Sequence, residues 1–203
     1  MTATLSAPAV RRSTLLAAGA VGGPLFVIGV LAQAYTRDGF DLARHPLSSL
    51  ALGDLGWLQV TNFIVYGLLT LAGAEGVRRT LPTARWAPRL MAVSGVALIV
   101  AAIFTADPIN GYPPGTADAA TWHGTIHSLA PAVAGIAGLI TYILFARRFA
   151  TSHEPGWLVW TVAASVAVLA TNAASAATGD FRWLVVGQAI GAAWTTSLFL
   201  KMR

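Results

Sequence analysis

Six uninterrupted apolar stretches, each close to membrane-spanning length, leave this 203-residue chain little sequence from which to build anything else. A helix rises about 1.5 Å per residue, so roughly 20 apolar residues cross a hydrocarbon core of about 30 Å. The stretches run Ser13–Tyr35, Leu55–Val77, Trp86–Thr105, Trp122–Phe145, Trp157–Ser175 and Phe181–Leu200. Their connections are short apart from residues 36–54 and 106–121. The chain is therefore predicted to be a single-domain, all-α membrane protein, a bundle of six transmembrane helices. With 56% hydrophobic and 10% charged residues and a mean hydropathy of +0.66, the composition excludes an ordinary soluble domain.

Orientation follows from the distribution of basic residues, which favour the cytoplasmic ends of spans. Arg11, Arg12, Arg78, Arg79, Arg85, Arg89, Arg147, Arg148, Lys201 and Arg203 fall on one side, against Arg37, Arg44 and Arg182 on the other. Both termini are predicted to be cytoplasmic. Trp57, Trp122 and Trp183 then form an outer aromatic belt and Trp86, Trp157 and Trp160 an inner one, while Trp194 lies deep in a span. The pI of about 10.4 is read as arginine meeting anionic lipid headgroups, so membrane lipids are the expected partners and nucleic acid is not. Arg11-Arg12 followed by an apolar run and Ala32-Gln33-Ala34 imitates a twin-arginine signal peptide. The run exceeds the usual h-region and is long enough to span, which makes a retained first helix the simpler reading. The absence of cysteine excludes disulfides, thiolate metal sites, iron–sulfur clusters and covalent haem attachment. An arginine- and alanine-rich composition is common in GC-rich bacteria, and a bacterial plasma membrane is the expected location.

Small residues let helices approach closely in lipid, and Gly19-x-x-x-Gly23, Ala134-x-x-x-Gly138 and Gly187-x-x-x-Gly191 supply such seams. They serve either the bundle itself or a homo-oligomer. Pro24 and Pro131 occupy loosely comparable places in two halves of opposite topology, a pattern that keeps a small-solute transporter among the alternatives.

Polar side chains inside a span are costly unless partnered or hydrated. Here Gln33, Asn62, Asp107, His123, His127, Ser128, Thr171, Asn172, Ser175 and Gln188 all fall toward the outer ends. An outward-facing polar pocket lined by Gln33, Asn62, Asn172 and Gln188 accounts for them, as do separate interhelical hydrogen bonds. Such a pocket would take a small ligand, a lipid headgroup or a metal ion. Glu75 is the inner exception, with Arg78 and Arg79 placed for an intrahelical ion pair.

The sharpest constellation is Trp122-His123-Gly124-Thr125-Ile126-His127-Ser128 at the outer start of the fourth span. Histidines at i and i+4 share a helical face, as two-histidine metal sites require. That face continues through Pro131, Ala134 and Gly138, which suit a bundle interior. Pro131 cannot donate to the carbonyl of His127, so a kink or a free acceptor is expected there. Asp107 ends the third span, and His45 lies in the first outer loop within Arg44-His45-Pro46-Leu47-Ser48-Ser49-Leu50. His45, His123, His127 and Asp107 around an open water position form a donor set for Zn²⁺. Such a centre would generate hydroxide near neutral pH for a lipid or amide hydrolase, with Asp107 and Ser48 as catalytic candidates. The plainer reading has the histidines hydrogen-bonded to Asp107, Asn110 or backbone. A b-type haem finds no histidine pair at matched depth. In the loops, Asp107-Pro108, Asn110-Gly111 and Pro113-Pro114-Gly115 predict tight turns, and Ser48–Leu52 a short helix ended by Gly53. Together these loops are expected to roof the pocket.

His45-Pro46-Leu47-Ser48-Ser49-Leu50-Ala51, Gly56-Trp57-Leu58, Asn62-Phe63, the Phe104–Asp107 segment with its proline-rich turn, and His127-x-x-x-Pro131 together resemble the prokaryotic membrane proteins of domain of unknown function 998. The resemblance covers nearly the whole chain. It implies a six-helix integral membrane protein and no established reaction. A second similarity, to the ceramidase and adiponectin-receptor type of intramembrane hydrolase, is confined to residue types. That group has seven helices, carries its H-x-x-x-H on the last and places serine before the first histidine.

Overall fold

The computed structural model describes residues 7–203, and its regular elements there are helical apart from one isolated bridge between Ile109 and Tyr112. Six helices are long and apolar enough to cross a membrane: α1 (Ala7–Thr36), α2 (Gly56–Thr80), α3 (Trp86–Ile103), α4 (Trp122–Thr151), α5 (Pro155–Thr178) and α6 (Arg182–Met202). They match the six predicted spans one for one. The largest difference at a C-terminus is in α4, which continues past Phe145 to Thr151 because Phe149, one turn on, is still buried in the core.

Each helix packs on its sequence neighbour, and α6 closes the ring against α1. Short connections make consecutive helices antiparallel, so the α1–α2, α3–α4 and α5–α6 connections gather at one end. We call this the loop-rich end; the other end carries the paired arginines. Near the arginine-rich end the core is aromatic, with Tyr142, Phe145, Phe149, Trp194 and Phe199 buried together. The Trp194 indole N–H donates to Thr161 Oγ1 at 3.1 Å, the partner a buried tryptophan needs. Arg78 and Arg79 pair with Glu75 at 2.5 and 2.7 Å, as their spacing predicts.

The Gly19/Gly23 seam is used within the chain. A methyl group on Gly19 would meet the Gly73 backbone of α2, and one on Gly23 would come within 2.7 Å of Ala192 on α6. Gly187 likewise abuts Thr171 of α5. Gly138 has nothing within 4 Å of where a Cβ would stand, so the Ala134/Gly138 seam is open at Gly138.

The two long connections fold onto one another at the loop-rich end. In the first, a short 3₁₀ helix (Leu47–Ala51) buries Ser49, Leu50 and Ala51, and Gly53 follows with φ +72°. In the second, Asn110 and Gly111 take positive φ of 59° and 80°, the turn that Asn-Gly specifies. Asn110 Nδ2 donates to the Arg44 carbonyl at 2.7 Å, and the rings of Phe40, His45 and Tyr112 pack together. This double loop roofs the α1–α2–α3 side of the bundle, with a cleft of about 670 Å³ between its two segments bordered by Arg37, Asp54, Tyr112 and Pro113.

Candidate functional site

The α3–α4 junction explains most of the chemically reactive side chains as helix caps. Asp107 accepts from the Thr121 amide at 2.8 Å and the Thr121 hydroxyl at 2.6 Å, while Thr121 Oγ1 accepts from the Gly124 amide at 3.1 Å. A carboxylate and an N-cap threonine thus satisfy the first free N–H groups of α4 at its positive end. The carboxylate sits so close over Gly124 that a Cβ there would overlap it. The Thr121 hydroxyl, then its amide, hold the Asp107 carboxyl below the usual carboxylate range. Asp107 is therefore ionised at neutral pH and accepts hydrogen bonds.

His123 and His127 do share a face, and that face turns to α3. His127 is buried, and its Nδ1–H donates to the carbonyls of Ala101 and Phe104 at 2.8 and 2.7 Å, capping the C-terminus of α3. His123 Nδ1 lies 3.3 Å from the Thr105 carbonyl. His45 belongs to a different cluster: its Nδ1 accepts from the Asp41 amide at 2.9 Å, which leaves Nε2–H to donate to the Asn110 carbonyl at 3.3 Å. Both ring nitrogens of His45 are thus engaged. Among the described residues no three His, Cys, Asp or Glu side chains converge as a metal site, so the set His45, His123, His127 and Asp107 does not fit Zn²⁺. Ser48 is half-buried on the 3₁₀ helix, and its neighbour Ser49 is the serine that turns fully into the protein.

The four amide residues separate into three places. Gln33 and Asn62 join through Gln59, which was not among the expected site residues. Arg37 Nη2 donates to Gln33 Oε1 at 3.0 Å, and Gln33 Nε2 donates to Gln59 Oε1 at 2.8 Å. Asn62 Nδ2 donates to the same oxygen at 3.3 Å and to the Phe26 carbonyl at 3.1 Å. One turn deeper on α2, Tyr66 accepts from Gln188 of α6 at 3.2 Å. Asn172 is exposed on α5 beside Gly187, and one amide hydrogen goes to its own helix at Val168.

Along α4, the residues Ser128, Pro131, Gly135, Gly138, Tyr142, Phe145 and Phe149 recur at alternating spacings of three and four, which makes them one face. Its arginine-rich half is buried: Tyr142, Phe145 and Phe149 are at most 9% exposed. Its loop-rich half is open, for Ser128, Pro131 and Gly135 are exposed and neither Gly135 nor Gly138 has a neighbour within 4 Å of its Cβ position. Ala134 alone of the expected interior trio packs inward, joining Ala97, Ala101 and Ala130 in the seam with α3. Pro131 and Gly138 thus depart from the buried positions expected of them. The open half of this face ends at Tyr142, whose ring lies tilted against the buried Trp194 with centroids 4.3 Å apart.

A family model described as "Protein of unknown function (DUF998)" matches residues 20–200, nearly the whole chain. The chain belongs to the DUF998 family. No curated protein and no solved structure matches it. This DUF998 protein is thus a polytopic membrane protein whose HPLSSLA and H-x-x-x-P segments build the roof loop and the α3–α4 cap.

Three members of its polar framework escaped sequence reading: Gln59, Tyr66 and Arg37. The signal was present for two of them, since Gln59, Asn62 and Tyr66 stand at i, i+3 and i+7 and therefore on one stripe of α2. Arg37 reads as an outer-loop charge. Only the fold shows it folded back over the helix end, donating to the Leu52 and Leu55 carbonyls at 3.3 and 2.8 Å as well as to Gln33.

Proposed function

We propose that this DUF998 protein is a plasma-membrane binding protein with its loop-rich end outside the cell. It takes the apolar chain of a membrane amphiphile into the cleft between α4 and α5. The observation that carries the reading is the α4 face that is packed in one half of the bilayer and open in the other. Ten residues separate Ser128 from Gly138, so the open stretch is roughly 15 Å long, about half the depth of a hydrocarbon core of about 30 Å. In a membrane the substance that fills such a side-opening apolar cleft is lipid. Its α4 wall is small, Pro131, Gly135 and Gly138, and it ends at Tyr142, where that face becomes buried. Ser128, exposed toward the loop-rich end of α4, offers a hydroxyl to a headgroup oxygen or amine. No catalytic step is assigned, because Asp107, His123 and His127 already hold helix ends and His45 joins the two loops.

Native mass spectrometry of the protein released from membranes in mild detergent tests this. The parent is expected to carry one retained amphiphile, and a Gly135→Phe/Gly138→Phe variant, which fills the cleft without touching the packed half, is expected to lose it. A parent without bound amphiphile, equal retention by the variant, or a doubled mass showing that a second copy covers this face would each sink the reading.

A further inference from the structure

Four buried side-chain nitrogen or oxygen atoms lack a hydrogen-bond partner among the described residues: Ser49 Oγ, Gln59 Nε2, His127 Nε2 and, near the opposite end, Arg12 Nε. The first three border one packed cluster, that of Leu50 and Phe63. Gln59 stands one turn before Phe63 on the same face of α2, and the His127 ring lies edge-on to Phe63 with centroids 6.3 Å apart. Ser49 precedes Leu50, which packs in the cluster that contains Phe63. Ser49 and Gln59 are fully buried and His127 is 3% exposed.

The hydrogen-bond role of each orphan atom is fixed by its surroundings. Arginine can only donate, so Arg37 assigns the oxygen of Gln33; Gln33 must then donate to Gln59, which assigns the oxygen of Gln59. The Gln59 NH₂ is left pointing away from the relay as a donor. Two carbonyls claim Nδ1 of His127, so that nitrogen carries the hydrogen, and in the neutral ring Nε2 presents a lone pair. Ser49 can give or take. One donor, one acceptor and one hydroxyl left empty in a low-dielectric interior would each forfeit a hydrogen bond, a cost that native proteins avoid.

We propose that Ser49, Gln59 and His127 line an internal binding site for a neutral hydroxyl group, supplied by water or by an alcohol. A hydroxyl oxygen accepts from Gln59 and donates its hydrogen to His127, with Ser49 completing the shell. An ionised carboxylate or phosphate would set an acceptor against the His127 lone pair, and an ammonium would set a donor against the Gln59 amide. The site lies on the α3-facing side of α4, away from the α4–α5 cleft, and stands independently of the amphiphile reading.

The test is a structure of the full-length protein near 2 Å or better, solved once without added alcohol and once with glycerol, alongside thermal unfolding of Ser49→Ala and ¹⁵N spectra of the His127 ring. Density within hydrogen-bond distance of all three atoms is expected. A lone peak in both samples identifies water, and an extended feature only with glycerol identifies an alcohol. Ser49→Ala is expected to melt at lower temperature, and the His127 Nε2 resonance to show a hydrogen-bonded lone pair. Empty space at the three atoms, or a Ser49→Ala protein at least as stable as the parent with a free Nε2 resonance, would overturn the proposal.

Discussion

At the scale of single residues, the side chains that look catalytic in the sequence hold helix ends. Asp107, Thr121 and Gly124 are one unit, a carboxylate and a hydroxyl closing the N-terminus of α4 over a glycine that leaves them room. A methyl at position 124 must displace the carboxylate, because the backbone of α4 cannot retreat. Gly124→Ala is therefore expected to lose the cap, costing about 1 kcal/mol as N-cap losses do, despite the usual gain from replacing a helical glycine. In an Asp107→Ala background the same substitution meets no carboxylate and should cost nothing further. Thermal unfolding of the four proteins in one detergent reads this out, and equal costs of Gly124→Ala in both backgrounds would show that Asp107 is not the obstacle. The sequence displayed His123, His127 and Asp107 clearly enough. It left open whether they meet a metal or the backbone at the end of α3, and an unsatisfied helix end claims an imidazole N–H before a metal can claim the ring.

At the scale of helices, the same small-residue pattern has two different outcomes. Gly19 and Gly23 let α1 approach α2 and α6 to backbone contact, whereas Gly135 and Gly138 face open space. Adding one methyl separates them. Gly23→Ala forces apart α1 and α6 and is expected to destabilise the protein by roughly 1–3 kcal/mol, the usual cost of overpacking. Gly138→Ala relieves a flexible glycine without a clash and should leave stability unchanged or raise it by up to about 1 kcal/mol. Denaturation midpoints of the two variants that ran in the opposite order would contradict the packing described. The positions of the spans were legible because length and apolarity are properties of the chain alone, as Trp86 and Trp122 at the first positions of α3 and α4 illustrate. Facing is a property of neighbours. Pro131 and Gly138 are small enough to be interior, yet Pro131 is exposed and nothing approaches Gly138, while Thr161 and Thr171 of α5 meet Trp194 and Gly187 of α6.

At the scale of the whole molecule, the two ends differ in kind. One carries paired arginines and a packed aromatic core; the other carries a double loop over α1–α3 and an opening beside α4. The amphiphile reading needs the second end outside the cell, and the arginine distribution supplies the independent argument for that orientation, since positive residues resist export across an energised membrane. The chain has no cysteine, so single cysteines report cleanly. Introduced at Asp118 in the exposed α3–α4 loop, a cysteine is expected to react with a membrane-impermeant maleimide in intact cells; at Arg85, between α2 and α3, it is expected to react only after the membrane is broken. Labelling in the reverse pattern would put the cleft in the inner leaflet. The amphiphile would then be drawn from the cytoplasmic side, and the arginine pairs would need another explanation than anionic lipid at the inner surface.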